Sequence, residues 1–273
     1  ERKDFCEGYD SVTVKADPAA NYAAGWAQGN WDYWSGLGEV DGRSGLPLHS
    51  FDSRAASAEV RKKMTPLNQP AYVAGWNTGL SSYWNSIGKR DGTAGRPAAQ
   101  KDGARNAAAA QGLRFDEAAW LSGWQLGNRT YWQDAGFQDA RNGVPDSALA
   151  RRAAAARGAG VQVQEDAYRQ AWNDEIFNYW KQLGARDAVS GKDFAMRRAE
   201  AWQKGLRIQE SEYRQAWEGR LTEYWSKLGH DDGYGQPYLL ERRIAEAQRS
   251  GVFVLPSTRT LYDQAWAAEN ARY

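Results

Sequence analysis

The sequence predicts an all-α protein built as a tandem array of helical hairpins, with a repeat of about 48 residues, and three observations carry that expectation. One pattern, YxxGWxxGxxxYWxxxGxxDGxxG, recurs in five full copies and a partial sixth. Its apolar residues fall at helical spacing, with no period-2 alternation over the same windows. Most copies are followed by an Ala- and Arg-rich stretch that runs into Gly.

The copies begin at Tyr22, Tyr72, Trp120, Tyr168, Tyr213 and Tyr262, so successive starts lie 50, 48, 48, 45 and 49 residues apart. The units are therefore residues 22–71, 72–119, 120–167, 168–212 and 213–261. Residues 1–21 read as the tail of a preceding repeat, with Val12 and Val14 in its return loop, and 262–273 as a partial repeat. The ends read as an array cut within a repeat, or closed by a half copy acting as a cap.

Of 14 Trp, six hold motif position 5 (Trp26, Trp76, Trp124, Trp172, Trp217, Trp266) and five hold position 13 (Trp34, Trp84, Trp132, Trp180, Trp225). A Tyr precedes each position-13 Trp.

At 100° per residue, positions 1, 5, 8, 12 and 16 span an arc of about 80°, which predicts one long helix with one buried stripe. Its start signals are N-cap types: Asp17 before Pro18, Asn68, Asp116, Ser211 and Ser257. The Gly pairs Gly25/Gly29, Gly75/Gly79 and Gly123/Gly127 cost roughly 1 kcal/mol per Gly against Ala, so they predict close approach of a helix or ring. Ala171/Glu175, Ala216/Arg220 and Ala265/Glu269 replace them later, predicting looser contacts there.

Second helices are expected at 53–64, 101–111, 147–157, 194–204 and 238–249. After most of them comes Gly and an apolar, any, apolar triplet, as in Gly112-Leu113-Arg114-Phe115 and Gly160-Val161-Gln162-Val163. That string predicts a left-handed Gly cap with a hydrophobic residue folding back.

Composition narrows the function classes. Net charge is +1, so bulk electrostatics favour neither nucleic acid nor an anionic membrane. Mean hydropathy is −0.78 and the apolar runs fall short of the roughly 20 residues that span a bilayer, so no transmembrane segment is expected. The lone Cys6 cannot close an internal disulfide and reads as a small structural thiol. Arg outnumbers Lys 25 to 10 and gathers on the second helices. Phosphate and base contacts are one reading of those Arg, but the many Asp and Glu favour a solvated, ion-paired face.

Two recurring positions are candidates for more than packing. The position-13 Trp lies about 60° beyond the stripe, so it either packs on the next repeat or forms a ladder for a partner; packing is the commoner fate of such aromatics. Asp41, Asp91, Asp139, Asp187 and Asp232 hold position 20. A calcium loop would need further oxygen ligands that these copies lack. The Asp is instead expected to pin units together, as a cap or as acceptor for an indole, a Tyr hydroxyl or an Arg. The position-5 residues Trp26, Trp76, Trp124, Trp172 and Trp217 are expected in the same seams. His49, His230 and Cys6 have no catalytic partners in the sequence, and no phosphate loop, nucleophile elbow or metal-ligand cluster is present, so no enzyme activity, metal or cofactor is expected.

The run from Trp34 to Gly95, YWSGLGEVDGRSG and later YVAGWNTGLSSYWNSIGKRDG, resembles a family of small Gram-negative bacterial envelope lipoproteins of unassigned function. Its signature is close to W, GxxDGxxG, YxxGxxxGLxxYC. Here Trp84 stands where that family has Cys, as do Trp34, Trp132, Trp180 and Trp225. The resemblance implies a periplasmic, envelope-associated or secreted location and brings no catalytic residues. Cys6 lacks a preceding lipobox.

The expectation for function is a non-enzymatic scaffold that binds protein partners or itself through repeated faces. The alternative is a glycan or peptidoglycan binder using the position-13 Trp. Exposed rings favour the glycan, and buried rings favour the scaffold.

Overall fold

In every full copy the long helix ends on a Gly-x-x-Asp run followed by Gly or Ala, whose residues have separate physical tasks. The computed structural model describes residues 18–57, 66–234 and 237–272, and among these there are helices and no strand. The long helices are α1 (Pro18–Arg43), α3 (Gln69–Thr93), α5 (Glu117–Arg141), α7 (Glu165–Asp187) and α9 (Glu210–Gly233). Each is followed by a short one: α2 (Ser50–Ala56), α4 (Lys101–Ala110), α6 (Ala148–Gly158), α8 (Phe194–Lys204) and α10 (Leu240–Ser250). The partial copy is α11 (Thr258–Asn270). Two compact units divide after Gly127, within α5.

Local signals behave as the sequence predicts at most ends. The Asn68 side chain accepts from the Ala71 N–H at 3.1 Å, and Asp116 caps α5 through the Ala119 N–H at 3.0 Å. Ser211 is not a cap, because α9 begins one residue earlier at Glu210 with Gln209 as N-cap. Ser257 holds the N-cap position of α11 without a side-chain cap bond. The second helix expected at 53–64 is α2, and residues 58–65 lie outside the described residues, as do Val12, Val14 and Cys6. The other short helices fall within two residues of expectation. Gly112, Gly160, Gly205 and Gly251 have φ from 65° to 80°, and the next residue donates back five positions, as Val161 N–H does to Ala156 O at 2.8 Å. Leu113, Val161, Leu206 and Val252 are buried by that fold-back.

In unit one, α1 and α3 run parallel and out of step. A Cβ built on Gly75 would lie 1.8 Å from the Ser35 carbonyl oxygen, and one on Gly79 would lie 2.1 Å from that of Glu39. From the opposite side, Gly38 and Gly42 face the carbonyl oxygens of Tyr72 and Trp76 at 2.0 and 2.2 Å. Both helices advance four residues together, so the C-terminal half of α1 lies beside the N-terminal half of α3. The contact repeats between α3 and α5, where Gly88 faces Trp120 O at 1.9 Å and Gly123 faces Asn85 O at 1.9 Å. Small residues four apart on two parallel helices allow this backbone contact, which also suits weak Cα–H···O bonds.

Unit two keeps the position-17 contact and relaxes the rest. Gly136, Gly184 and Gly229 face the carbonyl oxygens of Tyr168, Tyr213 and Tyr262 at 2.2, 2.2 and 2.3 Å. Opposite them the Gly pair has given way to Ala with a larger residue, of which Glu175 and Glu269 are buried.

The single stripe predicted for the long helix is in fact two. Positions 1, 4, 5 and 8 face the preceding helix, whereas 13, 17, 20 and 21 face the following one; on a helical wheel these sets point about 150° apart. Position 12 is only half-buried, as at Tyr83, and position 16 is half-buried at Ile87 but buried at Leu183. The short helix carries the chain back along the long one, which sets the stagger.

Candidate functional site

The seam between consecutive long helices gathers nearly all the buried polar chemistry of the described residues. At its centre is the position-20 carboxylate. Asp139 accepts Arg152 Nε and Nη2 at 2.6 and 2.5 Å, and the Tyr168 hydroxyl at 2.6 Å. Asp41 is held the same way by Arg54 and the Tyr72 hydroxyl. Asp187 takes Arg197 and Tyr213, and Asp232 takes Arg243 and Tyr262. The Arg comes from the short helix of the same copy and the Tyr from position 1 of the next, so each triad ties three elements together. A planar guanidinium meeting two carboxylate oxygens fixes the short helix in angle as well as distance.

The triad survives length changes between its Asp and its Arg. The Arg lies 13 residues after Asp41 and Asp139 but 10 after Asp187. It lies 11 residues after Asp232, so the turn between the two helices absorbs the difference while the same pairing is kept.

Copy two departs. The residue 13 after Asp91 is Ala104, and position 1 of the next copy is Trp120. Asp91 instead accepts Arg96 Nη1 at 2.8 Å from its own turn, beside a cavity of about 200 Å³ that Tyr83 and Ala104 help to line. The Trp120 indole N–H is buried without a partner.

The GxxDGxxG string thus resolves into parts. Position 17 must be small for backbone contact, and position 21 is Gly or, at Ala140 and Ala188, a buried Ala. Gly at position 24 has positive φ at Gly45, Gly95, Gly143 and Gly191. In the first three copies the next residue donates to the Asp carbonyl, as Val144 N–H does to Asp139 O at 2.8 Å. That residue's own carbonyl then accepts the position-5 indole of the following repeat: Trp76 to Leu46 O, Trp124 to Arg96 O and Trp172 to Val144 O, at 2.8 to 2.9 Å. Trp217 and Trp266 keep the position, but their buried indole N–H groups have no acceptor.

The position-13 rings are core. Trp34, Trp84, Trp132, Trp180 and Trp225 are at most 4% exposed, each in edge contact with its preceding Tyr at ring separations of 5.0 to 5.7 Å. A ligand-stacking ladder is therefore corrected: no ring face is open, because the return loop covers it. Each indole donates to the carbonyl of that loop's middle residue, Pro66, Arg114, Gln162, Arg207 or Phe253, at 2.8 to 3.2 Å. The sequence reading missed these bonds, although the apolar, any, apolar triplet marked the loops. Trp26, expected in a seam, is 51% exposed, and no helix among the described residues lies over its face.

Electrostatics follow from this geometry. Burial pushes the Asp41 and Asp139 carboxyls up, but hydrogen bonds from Arg and Tyr outweigh it and hold both below the ordinary carboxylate range. At Asp232 the Arg243 hydrogen bond is the largest influence, and the result is also downward. Burial and the neighbouring Asp push Tyr72, Tyr168 and Tyr262 well up. A carboxylate depressed on folding contributes stability above its unfolded value, about pH 4, and that contribution fades as pH falls further. A phenol raised on folding loses its contribution as pH climbs past about 10. Thermal melts should therefore show a stability plateau bounded by those two limits, and Asp139→Asn should flatten the acid side.

Asp139→Ala is expected to cost about 2 to 3 kcal/mol in chemical denaturation. That lies below the usual figure for a broken buried pair, since Arg152 stays 41% exposed. Asp91→Ala should cost less, having one guanidinium bond and no phenol to lose.

Among the described residues no group of three or more His, Cys, Asp or Glu is placed to hold a metal ion, and no helix is long and apolar enough to cross a membrane. Residues 84–131 match a family described as a protein of unknown function (DUF2799). The match opens on Trp84 and closes on Tyr131, one full period, and so brackets the covering loop and the following acceptor half-helix rather than one complete long helix. No curated protein and no solved structure matches the chain.

Proposed function

We propose that this chain is a non-enzymatic scaffold of the bacterial cell envelope that binds protein partners through its repeated helical faces. One observation carries the reading: all five position-13 Trp are buried and their indoles engaged, so the aromatic wealth of the sequence is spent on joining repeats. One Arg on each of four short helices, Arg54, Arg152, Arg197 and Arg243, is likewise drawn into a triad, which weakens a nucleic-acid reading. The envelope location rests on the resemblance of the Trp34 to Gly95 run to envelope lipoproteins.

Exposed apolar residues remain for partners, among them Met196 and Trp202 of α8, 50% and 82% exposed. A photo-crosslinking residue placed at 196 or 202 in the protein expressed in a Gram-negative host should give discrete protein adducts in the envelope fraction. Adducts found only in the cytoplasm, or binding of purified peptidoglycan fragments that quenches tryptophan fluorescence, would overturn the scaffold reading in favour of another location or a glycan ligand.

A further inference from the structure

Copy two keeps the Asp of the triad and loses both of its usual donors. Asp41, Asp139, Asp187 and Asp232 each take two N–H groups of a short-helix guanidinium and a phenol from the next copy. The Asp91 side chain is as deeply buried, at 5% exposure, yet it takes only Arg96 Nη1, on Oδ1. Among the described residues its Oδ2 accepts no hydrogen bond. Ala104 stands 13 residues on, where copies one and three supply the guanidinium. Arg105 does not replace it, because that side chain pairs with Asp102 and Glu117. The phenol is missing too, since position 1 of the next copy is Trp120. A cavity of about 200 Å³ reaches both Asp91 and Ala104, walled by the buried Trp84, Ala108 and Leu113 and rimmed by the exposed Arg90. One or two waters need far less room, and a buried carboxylate oxygen requires a donor.

We propose that this cavity binds a small guanidino acid, a solute with a guanidinium at one end and a carboxylate at the other. The four complete triads show the donor that this position accepts, a planar guanidinium on an alkyl stem. The ligand's guanidinium takes Oδ2 of Asp91, in place of the side chain that copies one and three supply themselves. Its stem lies along the apolar wall. Its carboxylate meets Arg90, which lines the cavity with Arg96 and has no ion pair among the described residues. Two arginines beside one carboxylate disfavour a ligand that is only a cation, and the second charge of a guanidino acid offsets them. The inference stands apart from the scaffold reading, which concerns exposed faces.

Free arginine is the probe, titrated into the full chain while the indole N–H resonances are followed by NMR. The Trp84 resonance should shift saturably. Lysine, whose ammonium is a point donor without the planar fork, should bind at least about tenfold more weakly. Ala104→Arg should fill the cavity with the chain's own guanidinium, raise the melting temperature and abolish the arginine-dependent shift. Asp91→Asn keeps the shape and removes the charge, so it should weaken arginine binding at least about tenfold while the circular dichroism spectrum stays unchanged. No saturable shift with arginine, equal binding of lysine, or arginine binding that survives either substitution overturns the site. Asp91→Asn keeps the test decisive even where the larger side chain at 104 disturbs folding.

Discussion

Gly88→Leu is expected to destabilise the protein by more than about 3 kcal/mol, at or beyond the upper end of ordinary overpacking, because the clash is with main chain. A Cβ at residue 88 would lie 1.9 Å from the Trp120 carbonyl oxygen and 2.9 Å from the Trp124 nitrogen. A side-chain neighbour can rotate away, whereas a helix backbone moves only by separating α3 from α5. Separation exposes Trp84, Trp120 and Trp124 together, so the loss should be cooperative across the seam. The contrast is Gly36→Ala on the open side of α1, where a Cβ meets nothing within 4 Å. That change should stabilise by up to about 1 kcal/mol through helix propensity. Guanidinium denaturation with circular dichroism reads both. Equal effects of either sign would show that the position-17 glycine does not set the interhelix distance.

Trp180→Ala is expected to cost about 3 to 5 kcal/mol. The ring is 0% exposed, lies 6.1 Å from Tyr213 and 6.4 Å from Phe194, and donates to Arg207 O at 2.9 Å. Truncation therefore opens a cavity and strips a covered carbonyl of its donor at once. Trp180→Phe separates the two effects, since it restores most of the volume and should recover roughly half the loss. Trp202→Ala, at 82% exposure, should stay within about 0.5 kcal/mol. Should Trp180→Ala cost no more than Trp202→Ala, the position-13 ring is not structural and the ligand ladder returns to consideration.

These two experiments probe the same seam from its backbone and its rings. Glycine sets how near two helices come, and the Tyr-Trp pair fills the wedge that such close helices leave beside the return loop. The Asp, Arg and Tyr triad then fixes the short helix against both. Copy two has exchanged two triad members, Ala104 for Arg and Trp120 for Tyr, and retains Asp91 on Arg96 alone. Unit one nonetheless keeps the tightest backbone contacts, so packing rather than the ion pair governs the spacing.

Much of this was legible in the chain. Helical periodicity, the Asn68 and Asp116 caps and the Gly that end the short helices are local features, decided within a few residues by backbone sterics and unsatisfied N–H and C=O groups. The recurrence of Asp with a following Arg and a later Tyr also announced a bond, since a buried carboxylate must find donors. Three things were not legible, for a shared reason. The parallel stagger of the long helices depends on how far the short helix returns, which is a sum over loop geometry that no local pattern records. The split of one stripe into two opposed faces depends on which half of a helix meets which neighbour. The fate of a given ring follows from these: Trp26 and Trp76 occupy the same motif position with the same flanking glycines, yet one is 51% exposed and the other 3%. Sequence determined which residues can join repeats, because joining chemistry resides in side-chain type and spacing. Tertiary structure decided which copies are joined, because burial is a property of the neighbour that arrives and not of the residue that waits.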